Sequence, residues 1–381
     1  MRRTLTRILP GQTIGIIGGG QLGQMLTFAA KQAGFKVVIL DPTPACPAAQ
    51  AADEQIVAPY DDRDAIERLA TQADVLTYEF ENVDLAALEA VSDRVSIPQG
   101  TELLRITKDR IREKTFLRDS GLRTAAFAPV NSADELRQAV ATIGLPAILK
   151  TCEGGYDGKG QVTLRTVADL DLPVVREILA TGQCILEQMV AFTCECSVMV
   201  GRSVSGEVTV FPVSENIHRN HILHESIVPA RISPALRDEA TQVARIIAAK
   251  LNLCGILGVE MFMGKDGHVY VNELAPRPHN SGHYSIEACD FSQFAVHNRA
   301  ICDWPMPEVH LLHPVVMVNV LGQHVEGVRR LIATKPQWHF HDYGKAEVRR
   351  DRKMGHVAVL TDDVAATLAE IDATGVWQEE Q

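Results

Sequence analysis

The sequence predicts an α/β protein whose N-terminal part is a doubly wound parallel sheet, followed by a strand-rich α+β portion. Short apolar runs alternate with helical patterns over the first hundred residues. After about residue 185 the texture turns to long β-rich runs. The chain of 381 residues also exceeds the roughly 250–300 at which a single core stops growing, so two or three domains are expected. Hydrophobic residues make up 46% and charged residues 22%, a balance that excludes wholesale disorder. No apolar run approaches the ~18 residues of a membrane span. Lys and Arg number 37 against 48 Asp and Glu, and the net charge of −11 argues against a nucleic-acid partner. A small anion in a local basic pocket stays open. The eight cysteines form no C-x-x-C pair, and several lie inside apolar runs. With no apolar leader in Met1–Pro10, reduced packing thiols and a cytoplasmic location are expected.

Thr13–Ile17 is a β-rich run. Leu22, Met25, Leu26, Ala29, Ala30 and Ala33 recur at helical spacing, and Gly34 is the stop. Lys36–Leu40, Glu54–Ala58 and Val75–Thr77 continue the strands, with helices expected at Asp62–Ala70 and Asp84–Ala90. Past Thr101 come helices at Asp109–Asp119 and Ser132–Ile143, a strand at Ala147–Lys150 and a glycine-rich stretch, Gly154–Gly160. Strands then dominate from Ile185 to Glu273, broken by one long helix near Ala235–Lys250. A small α+β segment follows Asp303.

Gly18-Gly19-Gly20-Gln21-Leu22-Gly23 fits G-x-G-x-x-G between a strand and a helix, with Asp41 ending the next strand. It reads as a dinucleotide turn, as a tight structural turn, or as an anion site of another kind. The Gly154–Gly160 stretch is either a surface hairpin or a lid whose backbone amides, with Lys150 and Lys159, meet a triphosphate. Gly258–Met263 and His268–Glu273 read as a hairpin around Asp266-Gly267. With an even-numbered loop, Glu260 faces Glu273 at about 5 Å between Cβ atoms. Two carboxylates so placed repel by about 3 kcal/mol at an effective dielectric of ~20, a penalty that a divalent cation removes. Asn272 adds an oxygen beside them. The prolines of Leu274–His283 make an ordered loop in which Arg277 and His279 suit a small oxyanion. His218, His221 and His224 are spaced so as to split between strand faces, a poor zinc pattern. Lys345, Arg349, Arg350, Arg352 and Lys353 form either a solvated basic loop or a fixed phosphate loop.

Together these segments resemble the ATP-grasp superfamily. Within it, four motifs are similar to the 5-(carboxyamino)imidazole ribonucleotide synthases: the first glycine turn, Tyr78–Asn82, Gly155–Gln161 and Asn272–His283. The resemblance runs from about Ile14 to Val359. It implies a Rossmann-like pre-ATP-grasp domain (1–105), an ATP-grasp domain (106–305, with its lid at about 121–190) and a small C-terminal α+β domain (306–381). It implies a ligase of purine biosynthesis that uses ATP and bicarbonate to carboxylate 5-aminoimidazole ribonucleotide through carboxyphosphate. The implied cofactor is Mg²⁺, with Mn²⁺ as an alternative ion. A homodimer that passes its product to a separate mutase is also implied.

The family roles carry over by position. Arg110, Lys150 and the loop Gly155, Tyr156, Asp157, Gly158, Lys159, Gly160 and Gln161 are expected to hold ATP phosphates. Glu187, Gln188, Met189 and Val190 should offer backbone groups to adenine, Glu195 should meet the ribose, and His218 and Asn272 should line the nucleotide. Glu260 and Glu273 are the expected Mg²⁺ ligands. The ribonucleotide is placed near Gln21, Leu22, Glu79, Tyr156, Asp157 and Asn280, with its phosphate on Lys345, Arg352 and Lys353. Arg277 and His279, with Tyr156 and Asp157, are the catalytic candidates. A formate-dependent glycinamide ribonucleotide transformylase is the nearest rival, and an NAD-binding dehydrogenase or sensor the remote one.

Overall fold

The computed structural model describes residues 7–81, 83–155 and 158–378. Its first layer is built from β1 (Thr13–Ile17), α1 (Gln21–Gln32), β2 (Lys36–Leu40), β3 (Glu54–Ile56), α2 (Arg63–Gln72), β4 (Val75–Tyr78) and α3 (Leu85–Val91). The four strands are parallel in the order β3-β2-β1-β4. Ile14, Ile16, Ile17, Val37, Ile39 and Leu40 are all buried, as expected for a sheet covered by helices on both faces. Acidic caps start α2 and α3: Asp62 accepts from the Ala65 amide and Asp84 from the Ala87 amide.

Helices α4 (Glu102–Thr107) and α5 (Arg110–Asp119) lead to a second sheet. It holds β5 (Phe127–Val130), α6 (Ala133–Ile143), β6 (Ala147–Thr151), β7 (Gln161–Leu164), α7 (Pro173–Ala180) and β8 (Cys184–Gln188). The strands run antiparallel in the order β5-β8-β6-β7. The glycine-rich stretch is therefore the β6–β7 connection.

The third sheet is the largest. Its strands are β9 (Phe192–Arg202), β10 (Val208–Val210), β11 (Ser214–Arg219), β12 (Ile222–Val228), β13 (Gly255–Gly264), β14 (Val269–Ala275), β15 (Val315–Leu321), β16 (His339–Asp342) and β17 (Lys353–Leu360). They run antiparallel in the order β14-β13-β9-β11-β12-β15-β17-β16, with β10 beside β9. The strands of residues 315–360 thus extend the sheet that carries Glu260 and Glu273. The remaining α-helices are α8 (Pro234–Lys250), α9 (Ser285–Ala288), α10 (Gln293–Ile301), α11 (Val325–Leu331) and α12 (Val364–Ala373).

One face of this sheet is apolar. Val198, Val200, Leu257, Val259, Met261 and Met263 pack against Ala240, Val243, Ala244, Ile247 and Ala248 of α8. Strand alternation then sends Glu195, Ser197, Glu260 and Glu273 to the opposite face. Pairing of Glu273 with Glu260, Glu260 with Ser197, and Ser197 with Ser214 makes one polar row across four strands.

The hairpin needs a correction. Its loop has three residues, not an even number: Gly264 and His268 close it, and Gly267 adopts φ +82° after a turn in which its amide donates to the Gly264 carbonyl. Met263 consequently pairs with Val269 and Met261 with Val271, a register that would separate the glutamates. A β-bulge between Glu260 and Met261 inserts Asn272 as the extra residue and restores the Glu260–Glu273 pairing.

Candidate active site

The site is built where the second sheet and its glycine connection meet the polar face of the third. Helix α5 begins at an Asp109 cap, and Arg110 and Lys114, one turn apart, share a face. Arg110 reaches two ways: Nη1 donates to Glu273 Oε2 at 3.3 Å and Nη2 to the Gly155 carbonyl at 3.0 Å. Lys114 is 2% exposed, donates to the Asn272 carbonyl at 2.6 Å and lies 3.5 Å from Glu187 Oε2. Lys150 on β6 donates to the same Glu187 oxygen at 3.0 Å. Burial would raise the Glu187 carboxyl, but Lys114, Lys150 and then Arg110 hold it down at about 2. The Glu187 side chain thus fixes Lys150, while backbone donors beside it are used inside the lid: the Gln188 amide bonds the Ala126 carbonyl and the Met189 amide the Pro146 carbonyl. Val190 follows directly.

The glycine connection rests on the third sheet. A Cβ on Gly158 would lie 2.8 Å from the His221 ring, and Gly158 and Gly160 adopt φ of +80° and +70°. Lys150 pairs with Gln161 across the β6–β7 ladder. Lys159 is exposed at the tip. Tyr156 and Asp157 lie outside the described residues.

On the polar row, Glu260 Oε1 is 2.9 Å from His279 Nε2. Burial pushes Glu260 up, yet His279, then His218 and Lys353, hold it well below the usual carboxylate range. Glu195 Oε2 lies 2.9 Å from His218 Nδ1, and this bond outweighs burial to raise the imidazole. Two carboxylates on adjacent strands, with Asn272 bulged beside Glu273, form an all-oxygen donor set of the kind Mg²⁺ takes. Arg277 is held by Glu81 at 2.9 Å, and His279 by Ser281, whose Oγ is 2.8 Å from Nδ1.

The acceptor candidates gather at the start of α1. Glu79 is buried and accepts from the Gly20 amide at 2.8 Å and the Gly23 amide at 2.9 Å. A Cβ on Gly18, at φ +106°, would lie 2.3 Å from the Glu79 side chain. Glu79 therefore fills the helix N-terminus that a dinucleotide pyrophosphate would need. Asp41, the residue a ribose would need, accepts instead from the Gly19 amide at 2.8 Å and the Tyr60 hydroxyl at 2.6 Å. Those contacts remove the dinucleotide alternative. The basic loop docks on the same helix: buried Tyr343 packs in one cluster with Leu22, Met25 and Leu26, and Gln50 sits against Gly344. Lys345 donates to the Lys353 carbonyl at 2.7 Å. Gln21 opens α1 beside these groups. Two further candidates already have protein partners. Asn280 is buried in a reciprocal amide pair with Asn319, at 3.0 and 2.7 Å, and exposed Arg352 donates to the Glu347 carbonyl.

Sequence reasoning missed Lys114, Glu81 and Asn319. Lys114 had a signal, its spacing of four from Arg110. Glu81 stood in the Tyr78–Asn82 motif without a role. Asn319 had none, because its partner lies 39 residues away. Among the described residues, no helix is long and apolar enough to cross a membrane.

A parallel N-terminal layer, a lid with a glycine connection, and an acidic row beneath it have the architecture of the ATP-grasp enzymes. The family model for an ATP-grasp domain matches residues 115–294. A ribonucleotide synthetase preATP-grasp domain matches 11–108, and a phosphoribosylaminoimidazole carboxylase C-terminal domain matches 315–370. The N5-carboxyaminoimidazole ribonucleotide synthase of Bacillus subtilis is 47% identical over 370 residues, 97% of this chain and 96% of its own. A solved N5-carboxyaminoimidazole ribonucleotide synthetase in complex with ADP superposes with a TM-score of 0.95 at 51% identity, covering 97% of this chain and 98% of that one. The Aspergillus clavatus enzyme in complex with ADP and 5-aminoimidazole ribonucleotide gives 0.89 at 31% identity, covering 97% and 99%. The chain belongs to the N5-carboxyaminoimidazole ribonucleotide synthase family.

Proposed function

We propose that the chain carboxylates 5-aminoimidazole ribonucleotide, using ATP and bicarbonate and releasing ADP and phosphate, as a step of purine biosynthesis. The observation that carries this reading is the approach of two clusters: Lys353 of the basic loop is among the charges that act on Glu260, and Glu79 at the start of α1 acts on Lys345. The Arg110–Lys150–Glu260–Glu273 cluster suits a nucleotide triphosphate, and the Lys345–Lys353 loop over the start of α1 suits an acceptor with a phosphate.

Lys150, steadied by Glu187, and Arg110, steadied by Glu273 and Gly155, place positive charge on the phosphates. Glu260 and Glu273 would hold Mg²⁺, which neutralises charge on the transferring phosphoryl group when bound. A bicarbonate oxygen attacks the γ-phosphorus as the bond to ADP breaks, giving carboxyphosphate. Arg277, oriented by Glu81, and His279, oriented by Ser281, would hold the bicarbonate. The exocyclic amine of the ribonucleotide then attacks the carboxyl carbon of carboxyphosphate, whose C–O bond breaks to release phosphate, or the CO₂ left after that phosphate has departed, and the nitrogen loses a proton. No side chain forms a covalent bond in this scheme. Catalysis rests on position and charge, as for phosphoryl transfer in general. Closure of the glycine connection keeps water from the acyl phosphate. The chain acts as a homodimer and hands its product to a separate mutase.

The deciding experiment measures ADP formation with aminoimidazole ribonucleotide plus bicarbonate, and with glycinamide ribonucleotide plus formate. Turnover is expected only with the first pair. Turnover only with the second would replace this reading with the transformylase.

A further inference from the structure

Strand β9 carries Cys194, Glu195 and Cys196 in succession. Alternation puts both thiols on the α8 side, with their sulfurs 3.9 Å apart, and Glu195 on the site side against His218. All eight cysteines are free, and Cys194 alone among them is not buried. Burial raises the thiols of Cys46, Cys152, Cys184, Cys254, Cys289 and Cys302. Cys194 goes the other way: the hydrogen bond with Cys196 outweighs burial and lowers it, while Cys196 itself is pushed up. Glu215 and Arg231, ion-paired at 2.6 Å, are the charged groups facing the pair, with Glu215 opposite Cys196. Exposure, thiolate character and a resolving thiol in contact are what oxidation of a cysteine needs.

We infer that Cys194 and Cys196 form a peroxide-sensitive dithiol whose closure moves Glu195 and weakens nucleotide binding. The effect on ATP rests on the ribose role proposed for Glu195. The Cys194 thiolate attacks one oxygen of a hydroperoxide. The O–O bond breaks, and the departing hydroxide takes up a proton to leave as water. The Cys196 sulfur then attacks the sulfenic sulfur. The S–S bond forms, the S–O bond breaks, and the hydroxyl leaves as water with the Cys196 proton. The balance is two thiols and one peroxide giving one disulfide and two waters.

Residues two apart on an extended strand have Cα atoms about 6.6 Å apart, at the upper end of the disulfide range of about 4.4–6.8 Å. Bonding the sulfurs draws the strand together at its middle residue. That residue is Glu195, opposite Phe262 on β13 and Asn216 on β11. A bond formed under such strain is readily reduced, so the modification is reversible.

The test treats the full chain with hydrogen peroxide, quenches with catalase, and reads peptide masses and the KM for ATP before and after dithiothreitol. The peptide spanning 194–196 is expected to lose two hydrogens. The KM for ATP should rise about five-fold, the factor carried by loss of one hydrogen bond, and recover on reduction. Cys194→Ser and Cys194→Ala should keep the basal KM and be insensitive. A disulfide mapped elsewhere, a mapped 194–196 bond with unchanged KM, or sensitivity retained in both variants would overturn the inference. Glu195→Gln is run alongside. An unchanged KM for ATP there would remove Glu195 from the nucleotide site, a failure of the functional reading that leaves the mapped disulfide standing.

Discussion

The two glutamates of the polar row are not equivalent as residues. Glu260 is enclosed and paired with His279, whereas the Glu273 side chain is 43% exposed and shares Arg110 with the Gly155 carbonyl. Glu273→Gln keeps the shape and removes one carboxylate charge. It is expected to lower ATP turnover at least ~100-fold, the scale of removing a charge-stabilising group from a phosphoryl-transfer site. Unfolding free energy should change by less than ~1 kcal/mol, since the ion pair lost is partly exposed. Steady-state ADP release and urea denaturation measure the two, and near-normal turnover at limiting Mg²⁺ would end the metal assignment. Lys345 carries a second prediction. Burial, and after it Arg352, lowers its ammonium to about 8. Only the protonated form attracts a phosphate, so the KM for the ribonucleotide should be flat below pH ~8 and climb about ten-fold per unit above it. Lys345→Ala should raise that KM about 10- to 100-fold at pH 7, the worth of a charged hydrogen bond, and abolish the climb. The KM for ATP should stay within ~2-fold, and equal losses for both substrates would remove the basic loop from the phosphate site.

At the scale of elements, the start of α1 is informative because its orphan amides are satisfied by a distant carboxylate. Gly20 offers no side-chain cap, and Glu79 from the end of β4 takes its place. Glu79→Ala leaves two buried amides unpaired and should cost about 1–3 kcal/mol in denaturant titration. Burial raises the Glu79 carboxyl from 4.5 to about 7. The native state then holds a proton that the unfolded chain has released, so this group's contribution to stability declines as pH rises from 4.5 to about 7. Glu79→Gln keeps an acceptor without the charge and should show that decline removed when unfolding is followed across this window. The β13–β14 hairpin teaches a similar lesson. Asp266-Gly267 is a sound turn signal, yet the loop around it has three residues rather than an even number. The glutamates meet only because Asn272 bulges. Nothing in the local pattern announces that bulge.

For the whole molecule, the proposed acceptor site draws on three segments distant in sequence that pack on one another. Tyr343, Leu22 and Phe294 share one buried cluster, joining the basic loop, α1 and α10. Gly344, at φ +65°, lets the loop approach Gln50, where a Cβ would lie 2.3 Å from Nε2. Gly344→Val should force the loop off the first layer, through both the clash and the backbone conformation. It is expected to raise the KM for the ribonucleotide about ten-fold or more, in line with a misplaced positioning group, with little change in the KM for ATP. Initial-rate kinetics with each substrate varied would separate the two, and a parallel rise in both would mean that the loop supports the fold rather than the acceptor.

Periodicity and turn chemistry determined most of the elements by themselves. Strands and helices such as Thr13–Ile17, Lys36–Leu40 and Pro234–Lys250 are written in local apolar spacing and in Asp or Ser caps, which act over a few residues. The motifs also determined the family and the cast of charged residues. Tertiary structure decided how those charges are spent. Glu187 locks two lysines, Asn280 is consumed by Asn319, and Glu79 closes the glycine turn against a dinucleotide. Such pairings depend on residues brought together across 37 or more positions of chain, where spacing carries no signal. Burial then sets the charge state, because the low-dielectric interior shifts each carboxyl and ammonium according to its neighbours in space rather than in sequence.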